Sequence, residues 1–298
     1  MRNVAKINLS VSSCSECPFS RSSKTAVKCV HEKMMNIDVG EGDVVPDFCP
    51  FVVQRIEAVM QGIENLPNTT MPKAYLETIR KKQNNGDFSG ANSKYGTDHA
   101  WHHMRRVQEI GIDFLRSCVD FGYVSPDSIQ KEVALFKIAA FMHDIGLAES
   151  VHNHAVHSSE LAKKYLLKQD IDEEDVHTIT HAIANHSSGD DTRTIVDVAL
   201  LIADKLDVIG DRVIEPADAV SLGYSHVKSA SYNFVRRGNE VVEAVLKYET
   251  EGFDAIRMMD IYPKSVYIPK YITLRYFKIP SFRYIVDGKE IDTKNIKC

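Results

Sequence analysis

The sequence has no long apolar run. Its longest uninterrupted apolar stretch near the middle, Val198 to Ala203, is far shorter than the roughly 20 residues that a membrane-spanning helix needs. Residues 1–13 also contain no apolar stretch of the length found in secretory signal peptides. We therefore expect a cytoplasmic protein with no membrane-embedded segment.

The sequence also lacks a large net charge. The net charge of −5 over 298 residues is small and has the wrong sign for a general nucleic-acid binder. The charge is uneven, because residues 263–298 contain eight Lys or Arg and only three Asp or Glu. This basic, Tyr-rich tail either meets an anionic ligand or balances an acidic body, and the second is the more common case.

Cysteine is scarce beyond residue 50, since four of the six cysteines lie in residues 1–50. Without an export signal we expect free thiols or metal ligands and no disulfide framework. A C-x-x-C pair followed by two wider spacings is compatible with a four-thiolate site for zinc or an iron–sulfur cluster, and equally with four unrelated thiols. These residues are Cys14, Cys17, Cys29 and Cys49. Cys118 is expected to pack in the core.

Helical periodicity dominates the chain from about residue 51 to about residue 213. The Cys-rich segment 1–50 precedes a lead-in, 51–98, that contains two helical patterns and an Asn/Gly/Ser-rich loop. Region 99–213 contains five further helical patterns. Region 214–298 is expected to be an α+β extension, with strands favoured over 239–248, 265–279 and 282–286. The expected fold is mainly α, with a helical bundle core and a C-terminal extension rich in strands.

Each of the five central helical patterns carries a His or Asp on its apolar face. One buried histidine is usually a hydrogen-bonded structural group. Five helices with the same arrangement are different, because buried imidazoles and carboxylates must find partners, and they can satisfy one another around a cation. This donor set suits iron, manganese or zinc better than magnesium. The six candidates are His103, His143, Asp144, His154, His186 and Asp204.

Five segments in this region resemble the HD superfamily of metal-dependent phosphohydrolases. They are His103-Met-Arg-Arg-Val107, His143-Asp144-Ile-Gly146, His154-Ala-Val-His-Ser-Ser159, Ala182-Ile-Ala-Asn-His186 and Ala203-Asp204-Lys205-Leu206-Asp207. The third and fourth resemble segments of the branches that bind two metals, and the nearest pattern is that of symmetric diadenosine tetraphosphatases. Leu147 stands where many members have Lys. No Gly-Tyr-Pro segment follows, and its absence argues against cyclic-di-GMP cleavage.

The resemblance implies a helical bundle of the HD type with a dinuclear metal site. It implies that one divalent cation is held by His103, His143, Asp144 and Asp204, and a second by His154 and His186 with Asp144 bridging. Iron is the metal of the nearest branch, with manganese and zinc as alternatives. A hydroxide held between the cations would then attack phosphorus.

Other residues near these segments are candidates for catalysis and substrate binding. His157, close to the helix face of His154, is a candidate proton donor. Lys205 and Arg212 are candidates for holding a substrate phosphate, although either could be a solvated helix residue. His99 stands at the entrance of the first central helix, where a substrate could be touched.

The sequence leaves several functions open. The leading hypothesis is a phosphohydrolase acting on a nucleotide or another small phosphate ester. A diiron oxygenase is an alternative, because a few oxygenases of this superfamily share the six-ligand set. A non-catalytic ligand or redox sensor on the same scaffold is a second alternative. Binding of nucleic acid or a membrane is not expected, and a homodimer is left open.

Overall fold

The computed structural model describes residues 20–22, 27–29, 37–38, 49–85, 96–214, 219–252 and 262–294. The described helices are α1 (Pro50–Glu64), α2 (Lys73–Asn85), α3 (Trp101–Asp120), α4 (Ile129–Met142), α5 (His154–Leu166), α6 (Glu173–Asn185), α7 (Ile195–Leu206), α8 (Ala219–Ser225) and α9 (Lys264–Tyr271). Short 3₁₀ turns at Ile145–Ala148 and Gly210–Arg212 and a π-helical segment at Ile272–Tyr276 complete the helical part.

The described strands form two separate sheets. They are β1 (Ser20–Ser22), β2 (Val27–Cys29), β3 (Ile37–Asp38), β4 (Val227–Arg237), β5 (Glu240–Thr250), β6 (Ser281–Val286) and β7 (Lys289–Ile291). The first sheet is antiparallel in the order β1-β2-β3. In the second, β4-β5-β6-β7, only β5 and β6 run parallel, with Leu246 opposite Tyr284.

The predicted four-thiolate site falls mostly outside the described residues. Cys14 and Cys17 lie there, and only the backbone of Cys29 is described. Cys49 is buried just before α1. A shared metal at these cysteines therefore stays a prediction. Cys118 lies in the core of the bundle as expected, and burial raises the pKa of its thiol.

The five predicted central helices are present as α3 to α7, and α7 is the innermost of them. Every residue of α7 is buried, which is expected of a helix that is apolar on nearly all sides. It begins with a capping box, in which the Thr194 hydroxyl accepts from the backbone N–H of Asp197 while the Asp197 carboxylate accepts from that of Thr194. Asp204 is buried in the last turn of α7. Six residues later, at Gly210, a 3₁₀ turn leads the chain toward the extension.

A close approach between two elements brings the middle segments together. α4 ends at Met142, and the following 3₁₀ turn packs against the start of α5. A Cβ atom on Gly146 would lie 2.4 Å from the carbonyl oxygen of His154, so only glycine fits there without displacement. The Gly146 N–H donates to the Ser158 hydroxyl at 2.8 Å. This contact fixes the position of α5 relative to His143 and Asp144.

The extension packs on α3 through an aromatic cluster. Phe114 on α3 contacts Tyr232, Phe234 and Phe277 of the extension, with ring centroids 5.9 to 6.2 Å apart. Tyr123 lies 4.5 Å from Phe277 in the same cluster. The bundle and the extension therefore share one core.

The predicted strand over residues 265–279 is wrong. This segment forms α9 and the π-helical turn, whereas the strands predicted over 239–248 and 282–286 are confirmed as β5 and β6. Its β-branched and aromatic residues favour a strand locally, but its buried positions recur every three to four residues, which is the helical period. Strand β4 was not among the predictions.

The helix is stable there although Pro269 lies inside it. Proline has no N–H, so the carbonyl of Ser265 loses its intrahelical partner. The buried hydroxyl of Tyr248 on β5 donates to that carbonyl at 3.1 Å. A tertiary contact thus replaces a helical hydrogen bond. Among the helices that the structure describes, none combines the length and apolar character needed to cross a membrane.

Candidate metal centre

The six residues predicted to bind metal lie around one point of the bundle. Within the described residues, their ligand atoms form overlapping groups whose members lie within 4.8 Å of one another, including His103 with His143 and Asp204, and His143 with Asp144 and His186. His154 joins through His186, since the two Nε2 atoms are 3.3 Å apart. Five of the six side chains are buried, and His154 is half-buried at the edge.

Asp144 lies between two pairs of histidines. Its Oδ2 atom is 3.4 Å from His143 Nε2 and 3.7 Å from His103 Nε2. Its Oδ1 atom is 3.3 Å from His186 Nε2 and 3.5 Å from His154 Nε2. Each carboxylate oxygen therefore faces a different pair of imidazoles.

The backbone fixes which nitrogen of three rings carries the proton. The Nδ1 atoms of His143, His154 and His186 lie 2.8, 3.2 and 2.7 Å from the carbonyl oxygens of the residues three positions earlier. A carbonyl only accepts, so each Nδ1 must carry hydrogen. In the neutral ring, Nε2 is then an unprotonated acceptor that points into the centre.

The fourth ring is oriented by a carboxylate. His103 Nδ1 lies 2.5 Å from Asp207 Oδ2, and Arg106 donates to both oxygens of the same group at 2.7 and 3.2 Å. Burial would raise the pKa of Asp207, but His103 and the neighbouring arginines outweigh it and lower the pKa to about 2. An ionised Asp207 accepts the Nδ1 hydrogen, which leaves His103 Nε2 bare as well. No role was predicted for Asp207, although it closes the segment that contains Asp204.

In their neutral forms the four imidazoles thus turn acceptor nitrogens toward one another and toward two carboxylates, which makes the centre a set of acceptors. His103 Nε2 and His143 Nε2 are only 3.1 Å apart, and His103 Nε2 is 3.4 Å from Asp204 Oδ1. Acceptors at such distances repel unless positive charge lies between them. The arrangement fits divalent cations with nitrogen and oxygen ligands.

The pKa shifts of His143, Asp144 and His186 also indicate that positive charge stabilises the centre. Burial lowers the pKa of His186 to about 4, so its ring is neutral near pH 7. Burial alone would lower the pKa of His143 too, but the adjacent Asp144 carboxylate outweighs it and the pKa is raised. Burial would raise the pKa of Asp144, and His143 outweighs that effect to hold it well below the usual range. A proton on His143 satisfies one contact, whereas cations would satisfy all of them.

His99 lies just before α3, where the sequence suggested, and it also contacts the centre. Its Nδ1 lies 2.9 Å from Asp144 Oδ2, and its ring, with His103 and Asp144, forms another group able to hold a cation. Burial lowers the pKa of His99 to about 4. The neighbouring Asp98 carboxylate accepts from the backbone N–H groups of Ala100 and His103, which fixes the start of α3. His99 lines the cavity above the centre, so its predicted contact with substrate stays a prediction.

Lys205 and Arg212 are both buried, which excludes a solvated helix face for either. The ammonium group of Lys205 donates to Asp204 Oδ2 at 2.5 Å. Burial would lower the pKa of Lys205, but Asp204 and Tyr262 outweigh it, so Lys205 stays charged. Arg212 donates to the carbonyl oxygens of Asp98 and Asp207 at 3.1 and 2.8 Å. Through these two hydrogen bonds the guanidinium group joins the start of α3 to the end of α7.

Three other histidines of the region are not part of the centre. His157, the predicted proton donor, is half-buried on α5 and is absent from the cavity lining and from the groups of ligand atoms in the described chain. His102 is exposed and does not line the cavity. His181 lies 3.0 Å from Asp197 Oδ1 at the other end of α7, which is a structural pairing.

A cavity of about 470 Å³ opens above the centre. Its lining consists of Thr97, His99, Asp144, His154, His186, Ser187, Asp204, Lys205, Arg212, Val220, Tyr224, Tyr262, Pro263 and Lys264. One side therefore consists of possible metal ligands, and the other carries aromatic and cationic side chains. The cavity is thus open to a small molecule directly over the centre.

Comparison with known families agrees with this geometry. Residues 100–209 match the HD domain. The chain therefore resembles this family over 110 of its 298 residues. It is also similar to the crystal structure of a predicted HD superfamily hydrolase from an uncultured Thermotogales bacterium, with 21% identity, a TM-score of 0.33, and coverage of 51% of this chain and 75% of that chain. A comparison with curated proteins gives no match.

The HD domain accounts for only part of the cavity. All six candidate ligands and Lys205 lie within the matched residues. Two lining residues, Thr97 and His99, precede the match, and six follow it, namely Arg212, Val220, Tyr224, Tyr262, Pro263 and Lys264. Part of the cavity wall therefore comes from the extension.

Proposed function

We propose that this protein is a metal-dependent phosphohydrolase that cleaves a nucleotide or another small phosphate ester. The observation that carries the proposal is the convergence of four histidine Nε2 atoms and two carboxylates on the floor of a cavity that also contains lysines. The HD domain supports the hydrolase class.

The division of Asp144 between two histidine pairs supports a dinuclear centre. One cation would be held by His103, His143, Asp144 and Asp204, and the other by Asp144, His154 and His186. When bound, the two cations would supply Lewis-acid stabilisation of phosphoryl charge and activate a water molecule for attack. Iron, manganese and zinc all accept this donor set.

The protein's own side chains would hold the substrate in place. Lys205 is charged and buried beside Asp204, so its ammonium group can donate to a phosphate oxygen close to the centre. Arg212 holds the backbone of Asp98 and Asp207 and thereby keeps His103 and its carboxylate partner in register. His99, neutral and adjacent to Asp144, can accept or donate at the substrate side.

The experiment separates hydrolysis from oxygenation. Metal-free protein is reloaded with manganese under nitrogen and supplied with a panel of phosphate esters and anhydrides, including dinucleoside polyphosphates. Release of phosphate or nucleotide is expected from at least one of them, because a Lewis acid needs no change of oxidation state. Activity confined to iron-loaded protein in air, with oxygen uptake matching product, would identify an oxygenase instead.

A variant tests the role of Lys205. Lys205→Ala is expected to keep its full metal content and to raise KM by about tenfold, since one charge-assisted hydrogen bond to phosphate is lost. Lys164→Ala, an exposed residue on α5, is the control and should match the wild type. Unchanged kinetics in Lys205→Ala would remove it from substrate binding.

A further inference from the structure

Lys264 comes from the basic C-terminal tail, yet it lines the cavity of the HD domain. It is the first residue of α9, and its ammonium group donates to the carbonyl oxygen of Ser187 at 2.9 Å. Ser187 directly follows His186, and its hydroxyl oxygen is 3.2 Å from His154 Nε2. The extension thus reaches across to the wall formed by the second histidine pair.

The ammonium group of Lys264 has hydrogen-bonding capacity left for a ligand. It carries three N–H donors, and within the described chain one of them is used, on the Ser187 carbonyl. Partial burial lowers the pKa of Lys264, and the nearby charge of Lys205 lowers it further. Two ammonium groups therefore face the same space from different elements, and an anion between or beside them relieves their repulsion.

The two lysines are not equivalent. Lys205 is paired with Asp204, so it lies at the floor beside a proposed metal ligand. Lys264 is exposed and lines the cavity together with Tyr262 and Pro263 of the extension. A cavity of about 470 Å³ is within the range of sites for whole small molecules, so a single phosphate at the floor would leave most of it unfilled.

We propose that Lys264 forms a second anion subsite, and that the substrate carries a phosphate-like group there in addition to the one that reacts at the floor. The proposal rests on the proposed function for the identity of the floor as the reacting end. The substrate class is thereby a molecule with two separated anionic groups. Tyr224 and Tyr262, whose rings meet edge to face at 5.8 Å, line the wall along which the connecting part would lie.

Binding of non-hydrolysable probes tests the subsite without any turnover. The probes are pairs of alkyl monophosphonates and α,ω-alkane bisphosphonates with two to six carbons, so each pair shares a carbon chain and differs by one anionic group. Their affinities for manganese-loaded full-length protein are measured by isothermal titration calorimetry under nitrogen. For the best-fitting chain length, the bisphosphonate is expected to bind about tenfold more tightly than its monophosphonate, as one additional charge-assisted contact predicts.

The variants assign this preference to Lys264. Lys264→Met should bring the ratio of affinities close to one, and Lys264→Arg, which keeps the charge, should retain most of the preference. Lys270→Met is the matched control, because Lys270 lies on the same helix and donates to the Thr293 carbonyl at 2.8 Å, outside the cavity. It should keep the wild-type ratio.

Each outcome has a distinct meaning. No preference for a bisphosphonate in the wild type, or a preference that survives in Lys264→Met, would overturn the subsite. If the preference depends on Lys264 but the protein cleaves no phosphate ester, the subsite stands and the proposed hydrolase function fails. A general unfolding effect would appear in the melting temperature of Lys264→Met relative to Lys270→Met.

Discussion

The bundle and the extension meet in one cavity, but they hold their side chains differently. In the bundle, the ring of His186 is fixed by a carbonyl three residues earlier, and the ring of His103 by a buried carboxylate. In the extension, Lys264 reaches the cavity from the surface and is fixed by one hydrogen bond to Ser187. The ligand rings of the proposed reaction centre are therefore preorganised by buried contacts, whereas Lys264 is exposed and held by one hydrogen bond.

The largest expected effect concerns Asp144. Asp144→Ala should empty both proposed metal positions and lower hydrolysis by at least about a thousandfold, because both oxygens of the carboxylate face histidine pairs. Metal content per chain and turnover are measured together. Asp113→Ala, an exposed residue on α3, is the control. Two metals per chain and normal turnover in Asp144→Ala would contradict the proposal that Asp144 serves both metal positions.

The next effect concerns Asp207, which orients His103. Asp207→Asn should weaken metal binding by about 10- to 100-fold, as is usual for a residue that holds a ligand in place. Asp197→Asn is matched to it, since Asp197 is buried near the start of the helix that Asp207 follows, and it pairs with His181 away from the cavity. Loss of the capping interaction should lower its free energy of unfolding by about 1 kcal/mol while metal affinity stays normal. Equal metal affinities in the two variants would reduce Asp207 to a structural role.

Two glycines test how tightly the bundle is packed around the centre. Gly146→Ala should destabilise the protein by about 3 kcal/mol and displace α5, because its Cβ would collide with the His154 carbonyl. In Gly62→Ala, the new methyl group meets nothing within 4 Å on helix α1, so a gain of about 0.5 to 1 kcal/mol is expected. Thermal or urea unfolding measures both. An unchanged free energy of unfolding in Gly146→Ala would contradict the tight packing of Gly146 against the His154 carbonyl.

The smallest effect is expected in the extension, at two buried tyrosines whose rings meet edge to face. Tyr248→Phe should cost about 1 kcal/mol, because the Ser265 carbonyl loses the donor that replaces the missing N–H of Pro269. Tyr284→Phe should be neutral or slightly stabilising, since the Tyr284 hydroxyl is buried without a hydrogen-bond partner in the described chain. Urea unfolding of both variants gives the difference. The reverse order would show that the anchor of α9 has been assigned to the wrong contact.

Sequence patterns were most informative where the chain is locally consistent. The helices α3 to α7 follow from apolar residues at helical spacing, and that spacing also placed His103, His143 and Asp204 on inward faces. The same reasoning failed for residues 265–279, where β-branched and aromatic residues favour a strand. There, packing against α7 and the hydrogen bond from the Tyr248 hydroxyl favour a helix, and local propensity does not register either contact.

The sequence by itself determined the residue types of the centre and their order, because a cation site in an apolar core demands His and Asp on inward helix faces. Only the tertiary structure decided which groups orient them and what faces them. His103 and Asp207 are 104 residues apart, and Lys264 meets Ser187 across 77 residues. Such contacts leave no periodic trace in the chain, since they depend on how whole helices pack and not on the spacing within any one of them.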